Sequence, residues 1–90
     1  SPDTRAFPLL DTAYEVLRKG DTFPSVFNAA NEEAVQAFLE KKINFGTISR
    51  VIEKTLETHK PKSAETLEHV IEAELWARKE GKRWIKHFAL

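Results

Sequence analysis

Thr47-Ile48-Ser49-Arg50-Val51-Ile52-Glu53-Lys54-Thr55-Leu56-Glu57-Thr58 is the stretch that decides the fold class. Ile48, Val51, Ile52, Thr55 and Leu56 recur at i, i+3, i+4, i+7 and i+8, the spacing that gathers side chains on one face of an α-helix. β-branched residues elsewhere in the chain also fall at helical spacing, and no stretch alternates apolar and polar as a half-buried strand would. The helix is expected to open after Asn44-Phe45-Gly46-Thr47. It should close before a connection over His59 to Lys62, where Pro61 resists continuation.

Upstream, Pro24 to Lys41 carries Val26, Phe27, Ala30, Ala34, Val35, Phe38 and Leu39, again at helical spacing. Asn28 and Asn31 interrupt it. Asparagine competes for nearby backbone groups, and Asn31 followed by Glu32 and Glu33 reads as a fresh helix N-terminus. The expectation is a short turn followed by a longer helix, or one bent helix. Before that, Pro8 suits the first position of a helix running to Lys19. Leu10, Ala13, Tyr14 and Leu17 form its apolar stripe, and Gly20 supplies a left-handed stop.

Downstream, Ser63 reads as an N-cap with Glu65 in the first turn. Leu67, Val70 and Ile71 make one apolar patch, and Trp76, Ala77, Trp84, Ile85 and Phe88 make another. Gly81 weakens a continuous helix by about 1 kcal/mol relative to Ala. This predicts one long helix or two collinear pieces meeting near Glu72 to Glu74. The fold class is all-α: a single domain over residues 1–90, a small bundle of about four main helices with no sheet.

Ninety residues make one domain, too small for a core plus a deep two-domain cofactor cleft. With no Cys, disulfides and thiolate metal sites are excluded. With no Met and Ser1 at the start, the chain is expected to be a fragment or a processed product. Fourteen basic and fourteen acidic residues balance, but unevenly: Ser1 to Leu75 holds 9 basic and 13 acidic, Trp76 to Leu90 holds 5 and 1. The basic end reads as a last helix packed on an acidic body, its cations favoured near the helix C-terminus. The alternative is a stand-alone interaction module that sets this basic helix on a membrane surface or an acidic partner.

No catalytic constellation stands out. His59, His69 and His87 are isolated in sequence, and Thr66 rather than Glu precedes His69 by three, which breaks the di-metal bundle motif. Glu65, Glu68 and Glu72 share a helical face and read as a solvated one. Gly20, Gly46 and Gly81 are too dispersed for a phosphate loop. Read as a recognition helix, Thr47 to Thr58 sets Arg50 and Lys54 against Glu53 and Glu57. That neutral balance argues against DNA, whose phosphates call for excess cation. The remaining unusual feature is Asn28-Ala29-Ala30-Asn31-Glu32. Small alanines there allow a second backbone to approach closely, and Asn28, Asn31 and Glu32 read as a structural motif at a helix junction rather than a ligand contact.

That string, continued by Ala34-Val35 and Ala37-Phe38-Leu39, resembles the C-terminal domain of 1-deoxy-D-xylulose 5-phosphate reductoisomerase. Phe7-Pro8-x-Leu10 before Ala13-Tyr14-Glu15, Ile43-x-Phe45-x-x-Ile48, and Trp76-Ala77-Arg78 resemble its other pieces in the same order. Glu33, where the family is commonly apolar, and Glu74, where it is commonly Asp, depart from it. The resemblance implies a supporting domain of an enzyme that isomerises and reduces its substrate to 2-C-methyl-D-erythritol 4-phosphate in non-mevalonate isoprenoid biosynthesis. It implies NADPH and a divalent metal (Mg or Mn) for the full-length oxidoreductase, with neither the NADPH-binding nor the catalytic domain in this chain. It further implies a cytoplasmic homodimer, with no nucleic acid and no membrane among its partners. No catalytic, cofactor-binding or metal-binding residue carries over. Phe7, Phe23, Phe27 and Trp76 are the expected contacts with the enzyme's own other domains.

Overall fold

The apolar period of each segment becomes a helix. The computed structural model describes residues 8–90 and contains α1 (Pro8–Lys19), α2 (Phe23–Leu39), α3 (Thr47–Thr58) and α4 (Leu67–Phe88), with no strand among the described residues. Phe7 lies outside the described residues, as does the side chain of Leu10.

α3 forms as its sequence dictates. Ile48, Val51, Ile52 and Thr55 are buried and Leu56 is half-buried. The Thr55 hydroxyl would be a liability in this core, but it donates to the Val51 carbonyl at 2.8 Å. With Ala30, Ala34, Ala37, Ile43 and Ile85, these residues make the main core. α3 runs antiparallel to α4: Arg50 lies over the Phe88 ring, Lys54 over Trp84, and Thr58 donates to Glu80 at 2.8 Å.

α2 and α4 run parallel and meet through small residues. Ala73, Ala77, Gly81 and Ile85, four apart, are the buried positions of α4. Opposite them lie Val26, Ala29, Ala30, Ala34 and Ala37, the buried positions of α2. A Cβ added to Gly81 would stand 3.9 Å from the Ala30 Cα and 3.6 Å from the Glu33 Cβ. Alanine and glycine thus let the helices approach closely, and Glu33 lays its aliphatic stem across Gly81.

Three expectations need correcting: a fresh N-terminus at Asn31, Ser63 as the N-cap of the last helix, and Tyr14 and Leu17 in the buried stripe of α1. α2 is one continuous helix, with no new N-terminus at Asn31. Burial of the alanines on both sides of Asn31 outweighs its preference for caps, and Asn28 turns its amide to Glu32 one turn on, at 2.9 Å, instead of to the backbone. α4 begins at Leu67, not Ser63. Thr66 is its N-cap and accepts from the His69 N–H, while Ser63 accepts from the Glu65 N–H in the preceding turn. The helix then continues through Glu74 and Gly81 without a break. On α1, Tyr14 and Leu17 are exposed and Val16 is buried instead. Gly20 does take the left-handed conformation (φ 66°), and its N–H bonds the Val16 carbonyl.

Candidate functional site

Two arrangements of polar side chains could carry function. The first straddles the α2–α4 seam. Arg78 donates from Nη1 to Glu33 and from Nη2 to Glu32, both at 3.1 Å. Lys82 stands 3.4 Å from the other Glu33 oxygen, and Asn28 donates to the second Glu32 oxygen. The hydrogen bond and charge of Arg78, aided by the Asn28 amide, hold the Glu32 carboxyl below its usual pKa. Glu32 and Lys82 are exposed enough for solvent to screen them, so the main contribution of the cluster is register: it fixes which turn of α4 lies beside which turn of α2. Of the predicted motif, Asn28 and Glu32 therefore act together in this cluster. Asn31 is half-buried and shares a shallow surface hollow with Glu32, Val35 and Arg78.

The second arrangement lies at the other end of the seam, where α2 starts and α3 stops. A cleft of about 400 Å³ is lined by Thr22, Thr58, His59, Lys60, Lys62, His69, Glu72, Ala73 and Trp76. Thr22 is fully buried, yet its hydroxyl does not cap α2. It accepts from the Lys62 N–H at 3.1 Å and lies 2.8 Å from His59 Nε2. The imidazole packs edge-on against Phe23 at 5.3 Å between ring centroids and tilted against Trp76 at 5.1 Å. Burial pushes the His59 pKa below its ordinary value. A neutral ring suits the site, because Nε2 can then accept the Thr22 hydroxyl proton.

A hydroxyl 2.8 Å from an imidazole is the spacing of an activated nucleophile and its base. The surroundings give it another role. Thr22 has no exposed surface from which to reach a substrate, and one lone pair of its oxygen already takes the Lys62 N–H. The pair ties the 59–62 connection to the start of α2. In the sequence His59 is isolated and nothing marks Thr22. The two are 37 residues apart, and only the antiparallel return of α3 brings them together.

A pH dependence follows from this burial. The folded chain favours neutral His59, while the unfolded chain takes up a proton near pH 6.5. The stability contributed by the site is fully present above that pH and is lost as pH falls toward the lower, folded-state pKa. Urea unfolding compared at about pH 7.5 and pH 5.5 should show a loss for the parent chain and a smaller loss for His59→Gln. Equal losses would contradict this role for His59.

The remaining predicted contacts are turned inward. Phe23 and Trp76 flank His59, and Phe27 packs against the main core; all three are half-buried. Exposed large apolar side chains lie elsewhere, at Tyr14, Leu17, Val35, Leu39, Phe45, Leu67, Ile71, Leu75 and Leu90. Aromatic area such as that of Phe23, Phe27 and Trp76 is what a short bundle uses to close its ends. Among the described residues, no three His, Asp or Glu side chains converge as a metal site would need. No helix among the described residues is long and apolar enough to cross a membrane.

Known proteins match this architecture closely. The family model for the DXP reductoisomerase C-terminal domain covers residues 1–80. The 1-deoxy-D-xylulose 5-phosphate reductoisomerase of Thermodesulfovibrio yellowstonii is 46% identical over 84 residues, which are 93% of this chain and 22% of the relative. That of Acetivibrio thermocellus is 48% identical over 79 residues, 88% of this chain and 21% of the relative. Among solved structures, the Zymomonas mobilis enzyme in complex with NADPH superposes with a TM-score of 0.90 at 41% identity, covering 96% of this chain and 23% of that one. The chain thus spans a little over a fifth of the length of the proteins it matches. With sequence, helix order and three-dimensional path in agreement, the chain belongs to the DXP reductoisomerase C-terminal domain family.

Proposed function

We propose that this chain is the helical supporting domain of an NADPH-dependent 1-deoxy-D-xylulose 5-phosphate reductoisomerase. In this reading the enzyme isomerises and reduces its substrate to 2-C-methyl-D-erythritol 4-phosphate, and this domain holds none of the reacting groups. The observation that carries the reading is the combination of similarity, over most of the chain, to the C-terminal domain of these enzymes with two polar clusters that are engaged in holding helices together. NADPH is supported by the Zymomonas mobilis complex. The divalent metal, the homodimer and the cytoplasmic setting rest on the family resemblance. On the same resemblance, the nucleotide and the metal are both assigned to the rest of the enzyme.

The alternative, an interaction module using its basic last helix, finds less support. Ile85 is buried, Trp84 and Phe88 are half-buried against the main core, and Arg50, Lys54 and Arg83 already lie over their rings. The same contacts occupy the cations a DNA-reading helix α3 would need. The test is NADPH oxidation with 1-deoxy-D-xylulose 5-phosphate, measured for the intact polypeptide and for the 90-residue chain. Substrate-dependent oxidation by the intact protein and none by the chain is the expected result. Turnover by the verified chain alone would refute the supporting role, and a folded intact polypeptide without turnover would refute the activity.

A further inference from the structure

The N-terminal half of α4 presents apolar surface that the bundle does not use. Leu67, Ile71 and Leu75 stand four residues apart on one face and are 73%, 45% and 59% exposed. Their spacing is that of a helix interface, yet their face is open. The buried positions of this half-helix, Ala73 and Ala77, lie on the far side of the helix, against Val26 and Ala29. One turn beyond Leu75, Arg78 closes the stripe with its Glu32 and Glu33 bonds, and Asn28 joins through Glu32. An apolar strip therefore ends at an ordered polar cluster built from the Asn-Ala-Ala-Asn-Glu string.

We infer that this α4 strip, with the Asn28–Glu32–Arg78 cluster at its end, is the face on which the remainder of the same polypeptide docks. The inference rests on the reading of the chain as one domain of a longer enzyme. Two observations select this occupant over a second copy. The relatives are more than four times as long as the stretch they share with this chain, so a tethered partner is present at high effective concentration. The strip is also acidic: between Lys62 and Leu75, Glu65, Glu68, Glu72 and Glu74 accompany a single lysine, which is itself paired with Glu72 at 3.3 Å. Two such faces would repel each other, whereas a partner with a basic rim would be drawn in. The cluster supplies what the apolar strip lacks, a fixed pattern of donors and acceptors that sets register.

Because the chain has no cysteine, single thiols report on this face. Ile71→Cys and Leu75→Cys would be made in the 90-residue chain and in the intact polypeptide. Alkylation by iodoacetamide is followed, with the modified site read by peptide mass spectrometry. The expected result is slowing of roughly tenfold or more at both positions in the intact protein relative to the monomeric chain. Equal rates in the two would overturn the inference. Protection already present in the 90-residue chain, with a dimer in sedimentation, would overturn it in favour of self-association. The turnover assay above separates the two claims: an active intact enzyme with reactive thiols refutes this face alone, and a protected face in an inactive protein refutes the activity alone.

Discussion

Truncating Ile52 to Ala should lower the unfolding free energy of the chain by about 3 kcal/mol. It should lower the melting temperature by roughly 10–25 °C for a domain of this size. Ile52 has no exposed surface and sits among Ala30, Ala34, Val51 and Ile85, at the centre of the main core. Ala30 and Ala34, on a rigid helix, have little side chain to move into the space left behind. The cavity would stay largely open, and its cost adds to the lost transfer energy. Urea denaturation followed by circular dichroism measures the effect, and a change below about 1 kcal/mol would show that the core is not where the structure puts it.

The second large effect comes from adding volume instead of removing it. Ala77→Leu should destabilise the chain by about 3 kcal/mol, because the new side chain must be forced between α4 and the Val26–Ala29 stretch of α2. Gly81→Ala, one turn further along the same seam, should do the opposite. Its methyl would meet Glu33 and Ala30 at 3.6 to 3.9 Å, ordinary van der Waals contact. It would also remove a glycine from a helix interior, a gain of about 1 kcal/mol. Opposite signs at two positions four residues apart would be hard to produce by any arrangement other than a close seam with a small gap at Gly81. Stability changes of the same sign would contradict it.

The parts of the fold legible in the sequence are those where one physical term dominates. α3 has a single strong apolar period and the structure keeps it whole. α1 shows how that rule fails: Tyr14 and Leu17 make the larger apolar pair, but the shape of the groove against α2 and α3 takes Val16 and leaves them in water. In α2, the local preference of Asn31 for a cap competed with burial of the alanines around it, and burial won. The start of α4 was displaced because Ser63 and Thr66 both offer a capping hydroxyl, and the choice depends on where the 59–66 connection is pinned. That pin is the Thr22–His59–Lys62 set, which joins residues 37 and 40 apart and leaves no local signal.

The seam cluster was half legible. The alanines announced a close helix contact, and the Asn28 and Glu32 pattern marked polar groups beside it. What no spacing could supply was the partner, Arg78, which lies 46 residues from Glu32. The departure at Glu33 also finds its reason there. A carboxylate at this half-buried position is tolerated because Arg78 and Lys82 both reach it and its methylenes cover Gly81.

The central claim is that this chain holds fold and contacts but none of the chemistry. His59, half-buried in the cleft beside Thr22, is the side chain best placed to contradict it, since among the described residues it alone pairs an imidazole with a hydroxyl at catalytic spacing. The deciding measurement is kcat of the intact enzyme carrying His59→Gln, at saturating NADPH and substrate and with its melting temperature recorded. The account predicts kcat within about twofold of the parent. A loss of about a hundredfold or more with the fold intact, the scale of a missing general acid or base, would place the reaction in this domain and contradict the claim.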